Sequence, residues 1–163
     1  MSVSTDQLTE QFSKAVSKLN MAFRQFIQAR LRQYEIDLTF EMLQVMICLW
    51  QKDGINQQEI ANITVKDKAS MVYLLDNLEK RSLVYRMPDM SDRRNKLIFL
   101  TKKGKGLERD IQPILQQMYD SAEVGIKPAK LKEFICLCEN MWQNLENGML
   151  CTGDEISNLN KTP

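Results

Sequence analysis

Between residues 6 and 34, Leu8, Phe12, Ala15, Leu19, Ala22, Phe26 and Tyr34 recur mostly at three- and four-residue steps, with no proline or glycine among them. That spacing predicts one long helix. A helix of this length in a small domain packs on more than its own core. Leu38 and Thr39 read as the staple and cap of a second helix at about 40–52, which carries Leu43, Met46, Ile47 and Trp50 and is stopped by Asp53-Gly54. Asn56-Gln57-Gln58-Glu59 has the form of a capping box and opens a short helix to about Ile63. Asp67 caps the next helix, at about 68–81. On it Met71, Leu74, Leu75 and Leu78 fall within about 100° of one another and form a core stripe. Lys66, Ala69, Ser70, Tyr73, Asn77 and Lys80 fall on the opposite side, free to touch something else.

Two β-prone runs follow, LVYRM at 83–87 and KLIFLT at 96–101, and the loop between them is short enough to close a hairpin. Gly104 comes next. Two further helical stretches, at about 104–124 and 128–147, are divided near Gly125-Ile126-Lys127-Pro128, and residues 148–163 form a polar tail. The expected fold is mainly α with a small β-hairpin, organised as a single domain over residues 1–163.

Charge sharpens this outline. The formal net charge is only +1, yet residues 56–105 hold eleven Lys/Arg against six Asp/Glu, while residues 106–163 hold five against nine. A basic centre beside an acidic segment suits one surface turned toward a polyanion. The sequence has no histidine, which excludes histidine-dependent catalytic dyads, triads and zinc sites, and its four cysteines include no CxxC pair. No glycine-rich phosphate loop or convergent acid pair points to an enzyme, and no cofactor or metal is expected. No apolar window of about 18 residues occurs, and the N-terminus lacks the basic and apolar regions of a signal peptide. A cytoplasmic protein without membrane contact is expected.

Two short helices followed by a two-stranded hairpin is the order of a winged helix-turn-helix, in which the second short helix enters the DNA major groove. The stretch DKASMVYLLDNLEKRSLVYRMPDMSDRRNKLIFLTKKG resembles the MarR family of bacterial transcriptional regulators. Asp92-Arg93-Arg94 and the following Leu100, Thr101 and Gly104 carry that resemblance at a specific spacing. It implies a DNA-binding lobe over 38–104, dimerisation helices at 6–36 and 105–147, and a homodimeric repressor on a pseudo-palindromic double-stranded operator. Arg94 would be the residue inserted in the minor groove, oriented by Asp92, with Arg93 a phosphate or structural partner. Arginine suits a narrow A·T-rich groove because its planar fork is weakly hydrated. Lys66, Lys68, Ala69, Ser70, Tyr73, Asn77, Arg86 and Lys96 complete the expected DNA-contacting set.

Ala69 and Tyr73 stand where the family commonly has Ser or Thr and often Arg, so base reading would lean on Ser70, Tyr73 and Asn77. Ser82 replaces the glycine usual after this helix and would strain a left-handed cap. Leu19, Phe23, Phe26, Ile135 and Trp142 are candidates for the dimer interface or for the chain's own core. The resemblance also implies a small aromatic or phenolic effector. Two alternatives stand beside it: a redox-responsive regulator using a thiol such as Cys48, and a winged-helix protein-interaction module that has lost DNA binding.

Overall fold

A computed structural model describes residues 4–90 and 95–150. The chain divides into two compact units, 1–119 and 120–163.

The first unit opens with α1 (Thr5–Gln33), whose start is fixed by a reciprocal capping box between Ser4 and Gln7. Only Ile27 and Leu31 of α1 are fully buried, so the helix joins the core near its C-terminal end and leaves most of its length uncovered. Gln28 ties that end to the next element: its Oε1 accepts from the Phe40 N–H at 3.2 Å and its Nε2 donates to the Leu38 carbonyl. The helix α2 (Phe40–Gln51) is capped by Thr39, which accepts from the Met42 N–H at 3.2 Å. Met42, Leu43, Val45, Met46, Cys48 and Leu49 make it the centre of the core.

Gly54, at φ 72°, ends the α2 segment as the sequence predicts. A side chain is also barred there, since a Cβ at Gly54 would lie 2.5 Å from the Phe99 ring. Beyond it comes an element the hydrophobic pattern does not predict, the strand β1 (Ile55–Asn56). It pairs antiparallel with β3 (Lys96–Leu100), which pairs in turn with β2 (Val84–Pro88), so the expected hairpin is the larger part of a three-stranded sheet ordered β1-β3-β2. Asp53 secures the junction: its Oδ1 accepts from the Leu100 N–H at 2.8 Å, and its Oδ2 lies 3.0 Å from Lys105 Nζ.

The helix α3 (Gln57–Ile63) is capped by Asn56, whose side chain accepts from the Glu59 N–H at 2.8 Å. Helix α4 (Lys68–Lys80) follows, capped by Asp67. Met71, Leu74, Leu75 and Leu78 are all buried, as their spacing requires. The chain leaves α4 through Ser82 at φ 57°, the left-handed position that glycine would occupy without strain. The Ser82 and Leu83 N–H groups return to the Glu79 and Leu78 carbonyls, which closes the helix end.

Helix α5 (Lys102–Ala122) starts two residues earlier than Gly104 and runs through Pro113. Gly104 is buried against the Leu83 carbonyl, and its own carbonyl accepts from Trp50 Nε1 at 3.0 Å. The second unit contains α6 (Pro128–Leu150). Its Leu131, Phe134, Ile135, Leu137, Trp142 and Leu145 are all exposed on the single chain. Among the described residues no helix is long and apolar enough to cross a membrane.

Candidate nucleic-acid interface

The exposed side of α4 exists because its other side is committed to the core. Tyr73 stands 66% exposed, and Lys68, Ala69 and Ser70 are exposed beside it. These four occupy the first turns of the helix, the part that a helix-turn-helix presents to base edges. Lys66 is half-buried in the turn before α4, where its N–H donates to the Ala61 carbonyl at 2.9 Å.

Asp67 and Ser70 form a closed pair at the start of α4. The Ser70 N–H donates to Asp67 Oδ1 at 2.8 Å, and the Ser70 hydroxyl donates to Asp67 Oδ2 at 2.6 Å. The hydroxyl bond is the leading cause that holds the Asp67 carboxyl below its ordinary pKa, followed by the backbone bond from Ser70. The carboxylate therefore stays ionised between two lysines.

Besides Ser70, two more of the expected DNA-contacting residues are engaged within the chain. Asn77 donates from Nδ2 to the Tyr73 carbonyl at 2.8 Å and accepts from Arg81 Nη1 at 3.4 Å, so its amide lies along its own helix. An asparagine in mid-helix finds the carbonyl four residues back more readily than a distant ligand. Arg86, on β2, is only 17% exposed at its side chain. Its Nη2 lies 2.7 Å from Asp76 Oδ1, its Nη1 pairs with Glu79, and its N–H donates to Glu79 Oε1 at 3.2 Å. The arginine thus fastens the hairpin to α4. Lys96 is exposed at the start of β3, opposite Pro88. Asp92, Arg93 and Arg94 lie outside the described residues.

Residues that the sequence pattern does not single out also meet at this face. Val65, in the turn between α3 and α4, is held at φ 50° and is 80% exposed. A β-branched residue in the left-handed region is strained, and strain of this kind concentrates at functional positions. Its only sequence signal is an apolar residue inside a polar turn. Lys68, Asp76, Arg86 and Lys96 line a cleft of about 470 Å³ with Gln57 and Gln58 of α3.

Of the candidate interface residues, Phe23 and Phe26 pack partly against the core, whereas Leu19 is 41% exposed. On α6, Ile135 and Trp142 are exposed. Cys48 is buried, and burial is the first cause that pushes its thiol pKa up, with Glu59 adding to the effect. A thiol so placed is a poor nucleophile. No cluster of metal-ligating side chains occurs among the described residues.

An exposed helix face backed by an apolar stripe and bolted to a short hairpin defines a winged helix-turn-helix protein. The comparisons agree. The MarR family model matches residues 38–96. The chain is 34% identical over 101 residues to the HTH-type transcriptional regulator TtmR of Methylorubrum extorquens (strain PA1), covering 62% of this chain and 51% of TtmR. It thus spans about half the length of that relative. With the transcriptional regulator HosA of Escherichia coli O157:H7 it shares 32% identity over 102 residues, 63% of this chain and 75% of HosA. The crystal structure of the S. aureus MepR–DNA complex superposes with a TM-score of 0.73 at 26% identity, covering 82% of this chain and 97% of that one. The chain belongs to the MarR family, whose members here are transcriptional regulators with a DNA-binding winged-helix fold and are not enzymes.

Proposed function

We propose that the chain is a homodimeric, sequence-specific DNA-binding repressor. The observation that carries this reading is the exposed first half of α4, where Lys68, Ala69, Ser70 and Tyr73 stand clear of a helix otherwise committed to the core. Tyr73 would lie against a thymine methyl, and Lys66, Lys68 and Lys96 would meet phosphates. The wing would place Arg94 in the adjoining minor groove with Asp92 orienting it and Arg93 at the backbone, on the strength of the sequence resemblance. Asn77 and Arg86 leave the contacting set, because the Asn77 amide both donates and accepts along its own helix and the Arg86 guanidinium is held by two carboxylates, whereas the Ser70 oxygen keeps lone pairs to offer.

Dimerisation is supported by two apolar stripes. Leu8 and Leu19 stand exposed on one side of α1, and Ile135, Trp142 and Leu145 stand exposed on one side of α6. Stripes of this size on helices of a small protein suit a partner copy. Release by a small aromatic or phenolic effector is supported by a cavity of about 430 Å³ in the first unit. Ile36, Leu38, Leu83 and Leu107 give it apolar walls, and polar groups of Glu35, Lys103, Asp110 and the Arg81–Asp37 pair stand at its edge to orient a ligand. The raised pKa of Cys48 weighs against the redox alternative.

Sedimentation of the protein with a selected duplex tests the reading. It expects two chains per pseudo-palindromic site. A monomer that binds selected and scrambled duplexes equally would overturn it.

A further inference from the structure

The Asp67–Ser70 pair fixes more than a helix start. The Ser70 hydroxyl lies 2.6 Å from Asp67 Oδ2, and a carboxylate has no proton to give, so the proton in that bond is the serine's. A free serine on a recognition helix rotates its hydroxyl and can accept from one base or donate to another. Here that rotation is spent. The second carboxylate oxygen accepts from the Ser70 N–H at 2.8 Å, which holds the carboxylate in place on both sides. What remains outward at Ser70 is the oxygen's lone pairs, and the free lone pairs of Asp67 lie alongside them.

We infer that Ser70, locked by Asp67 as a hydrogen-bond acceptor, selects a base with an exocyclic amine, adenine or cytosine, on the strand it contacts. In the major groove adenine N6 and cytosine N4 donate, whereas guanine N7 and O6 and thymine O4 accept. A keto edge would bring lone pairs against lone pairs and leave two desolvated acceptors without a donor. Lys66 and Lys68 flank Asp67 in sequence and offset the charge that it brings toward the phosphates. The inference rests on the operator-binding reading and deepens it by naming the class of base at one position.

Selection from randomised duplexes, run with the full chain as wild type, Ser70→Ala and Asp67→Asn, tests this. The position that Ser70 contacts is the one whose preference changes in Ser70→Ala. There the wild type is expected to favour adenine or cytosine over thymine and guanine by about five- to tenfold, the lower part of the range for one base contact. Asparagine keeps the helix cap, but its Nδ2 can donate to the serine oxygen and release the serine proton. Asp67→Asn should therefore bind keto bases at that position within about twofold of amino bases. Thymine or guanine favoured there by the wild type, an unchanged preference in Asp67→Asn, or no position altered in Ser70→Ala would each overturn the inference. Failure of the wild type to enrich any sequence would instead overturn operator binding, and the inference with it.

Discussion

The Arg86 guanidinium on β2 lies 2.7 Å from Asp76 Oδ1 on α4, and with Glu79 on its other nitrogen it holds two carboxylates of that helix at once. Position 86 therefore sets how the hairpin stands against that helix. Arg86→Ala would leave Asp76 and Glu79 one helical turn apart without their cation. A loss of about 1–3 kcal/mol is expected, read from the urea midpoint. Arg86→Lys should recover only part of it, because an ammonium lacks the fork that spans both partners. An unchanged midpoint in Arg86→Ala would show that the pairs contribute nothing.

Ser82→Gly should stabilise the protein. Relief of a left-handed residue, less the extra freedom glycine has when unfolded, gives about 0.5–1 kcal/mol. Ser82 holds φ 57°, and its carbonyl accepts from Thr101 Oγ1 at 2.7 Å through backbone atoms that glycine keeps. A denaturant midpoint no higher than wild type would contradict this.

The Asp67 carboxyl should titrate lower than an ordinary aspartate, first because of the Ser70 hydroxyl bond. With the folded pKa depressed, the pair stabilises the fold above the unfolded carboxylate's pKa and is lost as pH falls through the folded value. Ser70→Ala should move the Asp67 midpoint, followed by carbon-detected NMR, up toward the ordinary range. An unmoved midpoint would assign the shift elsewhere.

Much of this arrangement is legible in the sequence because it depends on local signals. Thr39, Asn56 and Asp67 each cap the helix they precede, and the Met71, Leu74, Leu75 and Leu78 stripe needs only its spacing. Ser82 shows its strain by standing where glycine is usual. What escapes depends on partners far along the chain. Strand β1 has two residues and no periodicity, and it exists because Ile98 and Leu97 lie opposite. Arg86 looks like a free cation until folding brings Asp76 and Glu79 beside it. Asn77 has the right face for reading bases, and a backbone carbonyl within its own helix claims it. The left-handed Glu35 and Val65 carry no composition signal, since neither is a residue that favours that conformation.

Arg94→Ala should lower operator affinity by about 1–3 kcal/mol and flatten the salt dependence by roughly one unit. Wild type should also prefer a duplex whose wing-facing segment is A·T-rich to one that is G·C-rich, since groove narrowing favours the first. The variant should not. Anisotropy titrations with the two duplexes decide it, and equal affinity of both proteins for both duplexes would mean the wing does not reach the groove.

If the exposed side of α4 reads base edges, the ratio of affinities for selected and scrambled duplexes must depend on it. Wild type should bind the selected duplex at least about a thousandfold more tightly. Tyr73→Ala, which removes an exposed side chain from an otherwise intact helix, should reduce that ratio by about five- to a hundredfold while leaving affinity for scrambled DNA unchanged. A ratio near one in the wild type, or an unaltered ratio in Tyr73→Ala, would mean that this side of α4 does not read base edges.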